Sequence, residues 1–439
     1  MKQLILKRDL QIYRGRRGEK EMKIENLKIN NFHSFDDVEL SLNGKSTVIF
    51  GINGTGKTSI LKSVNLLYAN IINQIVNRKE LKQSLNIKLD DIKYGKTQTK
   101  LEADFSIENR IINYSRTMVR KTGKRTHNTK NLKVLASIFQ DKYVSDEKQD
   151  NIPLFVNYGT NRLVLDIPVR IRTKHEFDIY SAFDKAIENQ IDFRTFFEWF
   201  RNQEDYENEC KVQNADLEFT DKSLEAVKKA MLAMLDECTN LRVARKPRLE
   251  MKVDKNGVGL NVSQLSDGEK CTMALFGDLA RRLTIANPNL DNPLWGEGVV
   301  LIDEIELHMH PSWQRNIVRK LRETFPNIQF IITTHSPIVL SEIDDDFNVY
   351  FLQNKGASSE VIEFRRLDGF DANYILEEFM GTKSMNSKTE ALITDIYKLI
   401  NEKSFEEAEQ KVNRLKELTD STNKDVIRAS MLIKKGRLS

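Results

Sequence analysis

The first third of the chain alternates between apolar and polar positions in a way that predicts β-strands. Residues 22–50 alternate with a period of two and end in the apolar run STVIF, which is typical of a buried strand. Residues 101–119 alternate again, and the basic, polar stretch RKTGKRTHNTK follows them, so we expect a hairpin that projects from a sheet. IPLFVNYG, at residues 152–159, predicts a further buried strand.

The period changes to that of a helix between about residues 178 and 238. The first apolar stripe falls four residues apart, at Ile179, Phe183, Ile187 and Ile191. A second stripe follows at Leu224, Val227, Met231, Met234 and Cys238. The aromatic run FRTFFEWF between them indicates helical core more readily than a platform for stacked bases. We therefore expect a helical insertion in this part of the chain.

Strands resume after this insertion. RLEMKV, GLNV, EGVVLIDE and IQFIITTH each predict a strand, and PSWQRNIVRKLRETFP, between the last two, predicts a helix. That helix is expected to begin near Pro311, because proline suits the first turn. NVYFLQN and SSEVIEFRRL predict a closing hairpin, and the pattern from Asp371 onwards is helical.

Together these elements predict an α/β fold, in which a mixed sheet is flanked by helices and followed by a helical C-terminal region. Met22 opens the patterned sequence. We therefore expect residues 1–21 to be either a disordered leader or a stretch that is present because translation starts upstream of Met22. The expected divisions are 1–21 (leader), 22–177 (first part of the head, with the phosphate loop and the basic hairpin), 178–240 (helical insertion), 241–367 (second part of the head) and 368–439 (helical, partner-binding).

Composition narrows the class of protein. The 439 residues, 40% hydrophobic and 30% charged, suit a soluble globular protein with one large or two moderate domains. A net charge of +4 is too small to argue for nucleic-acid binding over the whole surface. The cysteines lack CxxC spacing, which favours a reducing cytoplasm. No apolar run approaches the ~20 residues of a membrane span, so no membrane partner is expected.

The segment GINGTGKT, from Gly51 to Thr58, fits the phosphate-loop (Walker A) pattern G-x-x-x-x-G-K-[ST]. It follows a buried strand and precedes an apolar helix, as the pattern requires, so backbone amides and the helix N-terminus can face phosphate. Lys57 is expected to reach the β- and γ-phosphates of ATP, and the Thr58 hydroxyl to bind Mg²⁺. The residues assigned to the nucleotide here are Asn53, Gly54, Thr55, Gly56, Lys57, Thr58 and Ser59.

Two further strand ends carry candidate chemistry. VVLIDE ends in Asp303, assigned to Mg²⁺, and Glu304, a candidate base toward the attacking water. IITTHS ends the following strand with His335, a candidate contact to the γ-phosphate. A strand-end histidine is otherwise usually structural.

A second turn suited to phosphate lies at QLSDGEKCTMAL, more than two hundred residues after the first. Ser266 and Gly268 stand there at the head of an apolar, helical run, where a hydroxyl, an amide and the helix dipole can face an anion.

Other features give weaker signals. His308 and His310 have no third ligand nearby in sequence, so they are interpreted as part of the loop after the carboxylates rather than as a zinc site. The segments RTMVRKTGKRTHNTK and RVARKPRLEMK concentrate positive charge. A solvated face is the default explanation for both, and contact with a phosphate backbone is the alternative.

The phosphate loop, LSDGE, LIDE and the strand-end histidine, in that order, resemble the motifs of ABC-type ATPases. The resemblance implies that two heads enclose two ATP molecules and that the second turn, with Ser266, Gly268 and Glu269, binds nucleotide held by a second copy. IENLKINNFHSFDDVELSLNGKSTVIFGINGTGKTS and LIDEIELHMHPSWQ resemble the RecF-, SMC- and OLD-type members rather than transporter subunits. The resemblance covers about residues 22–365.

Three softer stretches look like the PtuA-like ATPases of Septu and retron-associated anti-phage systems. They are VNYGTNRLVLDIPVRIR, FFEWFRNQEDYENE and the C-terminal VIRASMLIKKG. This resemblance implies an HNH-type nuclease partner and, in retron systems, also a reverse transcriptase with its RNA–DNA hybrid. The chain has no HNH pattern of its own and no acidic cluster on strands after Leu367, so we expect it to control a nuclease supplied in trans. The alternatives are a DNA-repair ATPase that clamps duplex DNA and, less favoured, a transporter subunit.

The sequence departs from the family pattern at several positions. Asp267 and Glu269 are expected to bring negative charge near the γ-phosphate and to slow hydrolysis. His33 stands where relatives often have arginine, which leaves its nucleotide contact in doubt. Gln140 is a weak candidate for the lid-loop glutamine.

Overall fold

In the computed structural model, the chain divides into two units, residues 1–369 and 370–439. The structure describes residues 22–76, 85–107, 110–140, 151–162, 177–364, 372–381, 387–419 and 423–438, so the expected leader at 1–21 lies outside the described residues. Among the helices described, we find none with the length and apolar character needed to cross a membrane.

The strands of the first unit form three sheets. In chain order they are β1 (Lys23–Phe32), β2 (Phe35–Ser41), β3 (Ser46–Gly51), β4 (Gln98–Ile107), β5 (Arg110–Val119), β6 (Arg125–His127), β7 (Leu154–Tyr158), β8 (Cys238–Ala244), β9 (Glu250–Lys255), β10 (Val258–Asn261), β11 (Gly298–Ile302), β12 (Ile328–Thr334), β13 (Phe347–Lys355) and β14 (Ser358–Phe364).

A six-stranded sheet runs in the order β14-β13-β3-β12-β11-β7, and every pairing in it is parallel except that of β13 with β14. Strands β7, β11 and β12 are buried along their whole length, which explains why they read as continuous apolar runs. A five-stranded antiparallel sheet, β2-β1-β4-β5-β6, contains the predicted hairpin. Its alternating burial pattern matches the period of two in the sequence.

The helices of the first unit are α1 (Lys57–Val76), α2 (Thr129–Gln140), α3 (Phe193–Gln213), α4 (Lys222–Leu232), α5 (Asp267–Ala286), α6 (Pro311–Gln314), α7 (Ile317–Thr324) and α8 (Pro337–Leu340). The aromatic run at the start of α3 is buried, which confirms the interpretation as core. The mixed sheet flanked by helices confirms the predicted α/β class.

The prediction of a helix along the first apolar stripe of the insertion is wrong. After a short 3₁₀ turn at Ile179–Phe183 the chain is irregular up to α3, and Lys185 and Asn189 adopt positive φ angles. This segment covers the edge strand β7: the amides of Asn157 and Gly159 donate to the carbonyls of residues 186 and 189. Covering a free sheet edge therefore outweighs the local helical period.

Two other helix predictions need correction. Helix α4 ends at Leu232, and Cys238, placed on the same helical stripe, begins strand β8 instead. The single helix expected from Pro311 is broken into α6 and α7, with Arg315 and Asn316 between them. At this break the side chain of Gln314 donates to the carbonyl of Met309.

The second unit is helical, as predicted for the C-terminal region. Its helices are α9 (Ala372–Glu378), α10 (Ser387–Asn401), α11 (Phe405–Leu418) and α12 (Lys424–Leu438). Helices α10 to α12 share an apolar core made of Ile396, Ala408, Val412, Leu415, Val426, Ala429 and Ile433.

Candidate active site

The candidate site lies at one edge of the six-stranded sheet. Strands β3, β12 and β11 are parallel neighbours, so their C-terminal ends meet at the same edge. Gly51, His335 and Asp303 lie at or directly after these three ends. The strand order thus brings the phosphate loop, the histidine and the carboxylates together, although they are far apart in sequence.

The phosphate loop depends on glycine at Gly56, which has a φ of +99°. A Cβ added at Gly56 would come within 2.7 Å of the Phe35 ring, so both the backbone angle and the packing require glycine. Asn53 is exposed, but Thr55 is buried and its hydroxyl donates to the carbonyl of Ile52 at 2.8 Å. Thr55 can therefore offer phosphate only its backbone amide.

Lys57 begins α1 with its ammonium group folded over the loop. Its Nζ donates to the carbonyls of Gly51 and Ile52, each at 2.9 Å. Burial lowers the pKa of Lys57 to about 8, although Glu304 and the neighbouring carboxylates act in the opposite direction. The ammonium is thus already at the loop, where incoming phosphate oxygens can replace the two carbonyls.

The expected magnesium ligands are in contact. The Thr58 hydroxyl donates to Oδ2 of Asp303 at 2.9 Å, and Thr333 donates to the other oxygen of Asp303. One hydroxyl and one carboxylate suit Mg²⁺, which takes its remaining ligands from water and nucleotide phosphates. Within the described part of the chain, no group of three or more His, Cys, Asp or Glu could hold a metal. His310 instead accepts from the amide of Ser312 at the start of α6.

Glu304 has an unusual backbone for a glutamate, with a φ of +48°. Holding a non-glycine residue there costs about 1–3 kcal/mol and needs support from its surroundings. Both backbone polar groups of Glu304 have hydrogen-bond partners that provide this support. The amide donates to Thr333 Oγ1 at 2.8 Å, and the carbonyl accepts from Arg162 Nη2 at 2.5 Å. The carboxylate is 3.8 Å from Nε2 of His335.

His335 is placed by a residue that the sequence reading missed. The carboxylate of Glu306 accepts hydrogen bonds from the backbone amide of His335 at 2.6 Å and from the hydroxyl of Thr334 at 2.7 Å. Burial and the nearby Lys57 lower the pKa of His335, so its imidazole is neutral at pH 7. The only sequence signal for Glu306 was its place just after the carboxylate pair.

The second turn is capped by its own residues. Ser266 is the N-cap of α5, and its amide and hydroxyl donate to Oε2 of Glu269 at 2.9 and 2.8 Å. Glu269 also pairs with Lys255 at 2.6 Å. Burial opposes the charge on Glu269, but hydrogen bonds from Lys255 and Ser266 outweigh it and lower the pKa of the carboxyl.

Both acidic residues of the second turn have partners within the chain. The charge on Glu269 is balanced within the chain, and Asp267 is exposed and paired with Lys270 at 2.8 Å. Gly268 is required by close packing, since a Cβ there would lie 2.5 Å from the carbonyl oxygen of His308. Among the described residues, no hydrogen bond joins this turn to the phosphate loop of the same chain.

His33 lies beside the phosphate loop in a polar cluster. Its Nδ1 is 2.7 Å from the hydroxyl of Ser59, and its Nε2 is 3.0 Å from Asp91. Lys62 pairs with the same carboxylate at 2.6 Å. The histidine is therefore linked to a loop residue assigned to nucleotide, through a contact that sequence spacing did not reveal.

Much of the basic charge noted in the sequence takes part in hydrogen bonds or ion pairs within the chain. Arg116, Arg120 and Arg125 each donate to backbone carbonyls of residues 66–96. In RVARKPRLEMK, the charges at residues 242, 245, 248 and 252 all pair with carboxylates. The candidate lid residue Gln140 ends α2, and its side chain lies outside the described residues.

A phosphate loop next to a carboxylate pair and a strand-end histidine, with a second capped turn at Ser266, defines an ABC-type P-loop ATPase. A family model described as "AAA domain, putative AbiEii toxin, Type IV TA system" matches residues 46–341. The chain belongs to this family.

Three curated relatives narrow the comparison. The retron Ec83 probable ATPase of Escherichia coli is 30% identical over 397 residues, which cover 76% of this chain and 72% of that protein. The retron Vc95 probable ATPase of Vibrio cholerae serotype O1 biovar El Tor is 31% identical over 380 residues, with coverages of 74% and 73%. The Septu protein PtuA of Bacillus thuringiensis is 23% identical over 413 residues, with coverages of 87% and 90%. The chain is an ATPase of the group found in anti-phage defence systems.

Proposed function

We propose that this protein is the ATP-hydrolysing regulatory subunit of an anti-phage complex, and that two copies close around Mg²⁺ and ATP. The observation that carries the proposal is the contact between Thr58 and Asp303, beside Glu304 and His335, at one sheet edge. Together with Lys57, these are the groups that ATP hydrolysis needs: ligands for the nucleotide and the metal, a base and a contact to the γ-phosphate. The Ser266 turn has no hydrogen bond to this loop within the described chain, which supports a role toward nucleotide on a second copy.

Each side chain then has one task. Lys57 would move from the loop carbonyls to the β- and γ-phosphates, and Thr58 and Asp303 would hold Mg²⁺, which would neutralise phosphate charge when bound. Glu304 accepts a proton from the attacking water, and the neutral His335 contacts the γ-phosphate. Ser266 and Gly268 of the second copy complete the phosphate contacts from the opposite side.

The test is Glu304→Gln in the full-length protein. Because the amide cannot accept the proton, we expect turnover to fall about 10²- to 10⁴-fold. ATP binding should persist, and light scattering should show a dimer that is stable with ATP and separates with ADP. A variant that still hydrolyses ATP at the normal rate would remove Glu304 as the base.

The nuclease partner rests on the resemblance to retron and Septu ATPases. The second unit folds around its own core and exposes Ile427 and Met431 on α12, which suits a docking role for the C-terminal region. Co-purification from the native host should recover an HNH-type nuclease and, if the system is a retron, a reverse transcriptase with its RNA–DNA hybrid. Recovery of the ATPase alone would count against this arrangement.

A duplex-DNA clamp is the second candidate. Lys121 and Lys124 are exposed at the tip of the basic hairpin and could contact phosphates. The pairing of several of these arginines within the chain weakens this interpretation. Binding of duplex DNA with a steep dependence on salt, in the absence of any nuclease, would favour the clamp.

A further inference from the structure

Arg162 is a buried cation that none of the assigned roles uses. Its side chain is about 97% buried, since its relative exposure is 3%, and it follows strand β7 near the carboxylate pair. Nη2 donates to the carbonyl of Glu304, while Nη1 is buried without a hydrogen-bond partner in the described structure. A buried guanidinium with an unpaired nitrogen is costly for stability. The contact with the Glu304 carbonyl, rather than the burial alone, connects Arg162 with the candidate site.

Arg162 and Thr333 hold the backbone of Glu304 from two sides. Thr333 accepts a hydrogen bond from the Glu304 amide, and Arg162 donates one to the Glu304 carbonyl. The φ of Glu304, which lies between these two groups, is +48°. A left-handed glutamate has a different side-chain direction from one with an extended backbone. The peptide after Glu304 is also held by the amide of Ile305, which donates to the carbonyl of Thr333 at 3.1 Å, and by the amide of Leu307, which donates to the Glu304 carbonyl at 3.0 Å. We therefore expect loss of the Arg162 contact to shift this peptide and the attached carboxylate rather than to release them.

Arg162 also contacts the helix that carries the second turn. The thiol of Cys271, on α5, lies 3.6 Å from the carbonyl oxygen of Arg162 and points its weak donor toward it. The arginine therefore lies between the Ser266 helix and the backbone of the candidate base.

We propose that Arg162 is a positioning residue for ATP hydrolysis: it fixes the carboxylate of Glu304 by holding its backbone, without touching nucleotide. This inference rests on the proposed role of Glu304 as the base. A misplacement of about 1 Å in a catalytic group can cost about 10²-fold in rate. The effect is thus expected in kcat, with nucleotide affinity unchanged.

The variants are Arg162→Lys and Arg162→Ala in the full-length protein, measured for steady-state ATP hydrolysis, affinity for a fluorescent ATP analogue and Tm. Lysine keeps the charge and one donor, so we expect kcat to fall about 10-fold; alanine loses both, and about 100-fold is expected. The Kd for nucleotide should change less than about twofold in Arg162→Lys. If alanine prevents folding, the lysine variant decides.

The matched control is Arg281→Lys. Arg281 is equally buried, pairs with Asp278 and has two unpartnered nitrogens, but makes no hydrogen bond to Glu304. The Arg281→Lys substitution should lower Tm and leave kcat per folded molecule unchanged. If Arg162→Lys behaves like this control, Arg162 is merely structural and the proposal is overturned.

A double variant separates this inference from the function it rests on. In the Glu304→Gln background, Arg162→Lys should reduce kcat no further, because its effect passes through the missing carboxylate. Reductions that multiply would overturn the positioning role. Full turnover in Glu304→Gln alone would instead refute the base assignment.

Discussion

The phosphate loop and the Ser266 turn each begin a helix of 20 residues, yet their N-termini are built differently. The first turn of α1 has no acidic residue and starts with Lys57, whose ammonium lies over loop carbonyls. The first turn of α5 contains Asp267 and Glu269, and the carboxylate of Glu269 occupies the Ser266 cap. One turn is therefore open to an external anion, and the other already holds an internal one.

This difference separates binding from closure. A helix N-terminus attracts negative charge, and only at the phosphate loop does the chain leave that position for a ligand. The first turn can bind nucleotide in a single copy. In the proposed dimer, the second turn would have to exchange Glu269 for a phosphate oxygen before it could take part.

The largest expected effect is that of Lys57→Ala on nucleotide binding. Removing the ammonium leaves the β- and γ-phosphates without their charged partner, and we expect ATP affinity to fall at least about 100-fold. Isothermal titration with ATP and Mg²⁺ measures this. Lys229→Ala, on the exposed face of α4, serves as the control and should bind normally. Normal ATP affinity in Lys57→Ala would show that the phosphate loop does not bind nucleotide through this ammonium, and the proposed difference between the two turns would be wrong.

Ser266→Arg tests the second turn alone. The bulky side chain should block the approach of the other copy, so ATP binding by one copy persists while dimer formation and most turnover are lost. Light scattering with ATP, in the hydrolysis-deficient Glu304→Gln background, reports closure directly. A dimer that still forms there would show that the turn does not face the second nucleotide.

The smallest effect concerns the internal anion. Glu269→Gln keeps an acceptor for Ser266 but loses the ion pair with Lys255, and we expect a loss of about 1 kcal/mol in unfolding free energy at pH 7. Because folding lowers the pKa of Glu269, the wild-type advantage is present above the unfolded value of about 4.3 and disappears as pH falls through the folded value.

Urea titrations of both proteins at pH 7 and in the acid range check this. The two curves should converge on acidification. A constant difference at every pH would show that the charge of Glu269 does not stabilise the turn.

The sequence predicted the elements whose chemistry is local. The phosphate loop, the strand ends at Asp303 and His335 and the apolar parallel strands each have a short pattern of their own. Arg162, Thr333 and Glu306 could not be found in this way, because their roles depend on which strands become neighbours. The helix expected at Ile179 does not form for a similar reason. The edge strand β7, an earlier element of the chain, donates to carbonyls of this segment, which a local sequence pattern does not show.

In the proposed dimer, the hydrogen bonds between Ser266 and Glu269 would let the protein discriminate nucleotides by their number of phosphates. Closing the proposed dimer would replace the Glu269 carboxylate at Ser266 with an oxygen of the terminal phosphate. ADP has no terminal phosphate to offer in this trade and leaves the internal carboxylate in place. We therefore expect the proposed dimer to assemble with ATP and not with ADP alone, while Lys255 pairs with the internal carboxylate in the single copy.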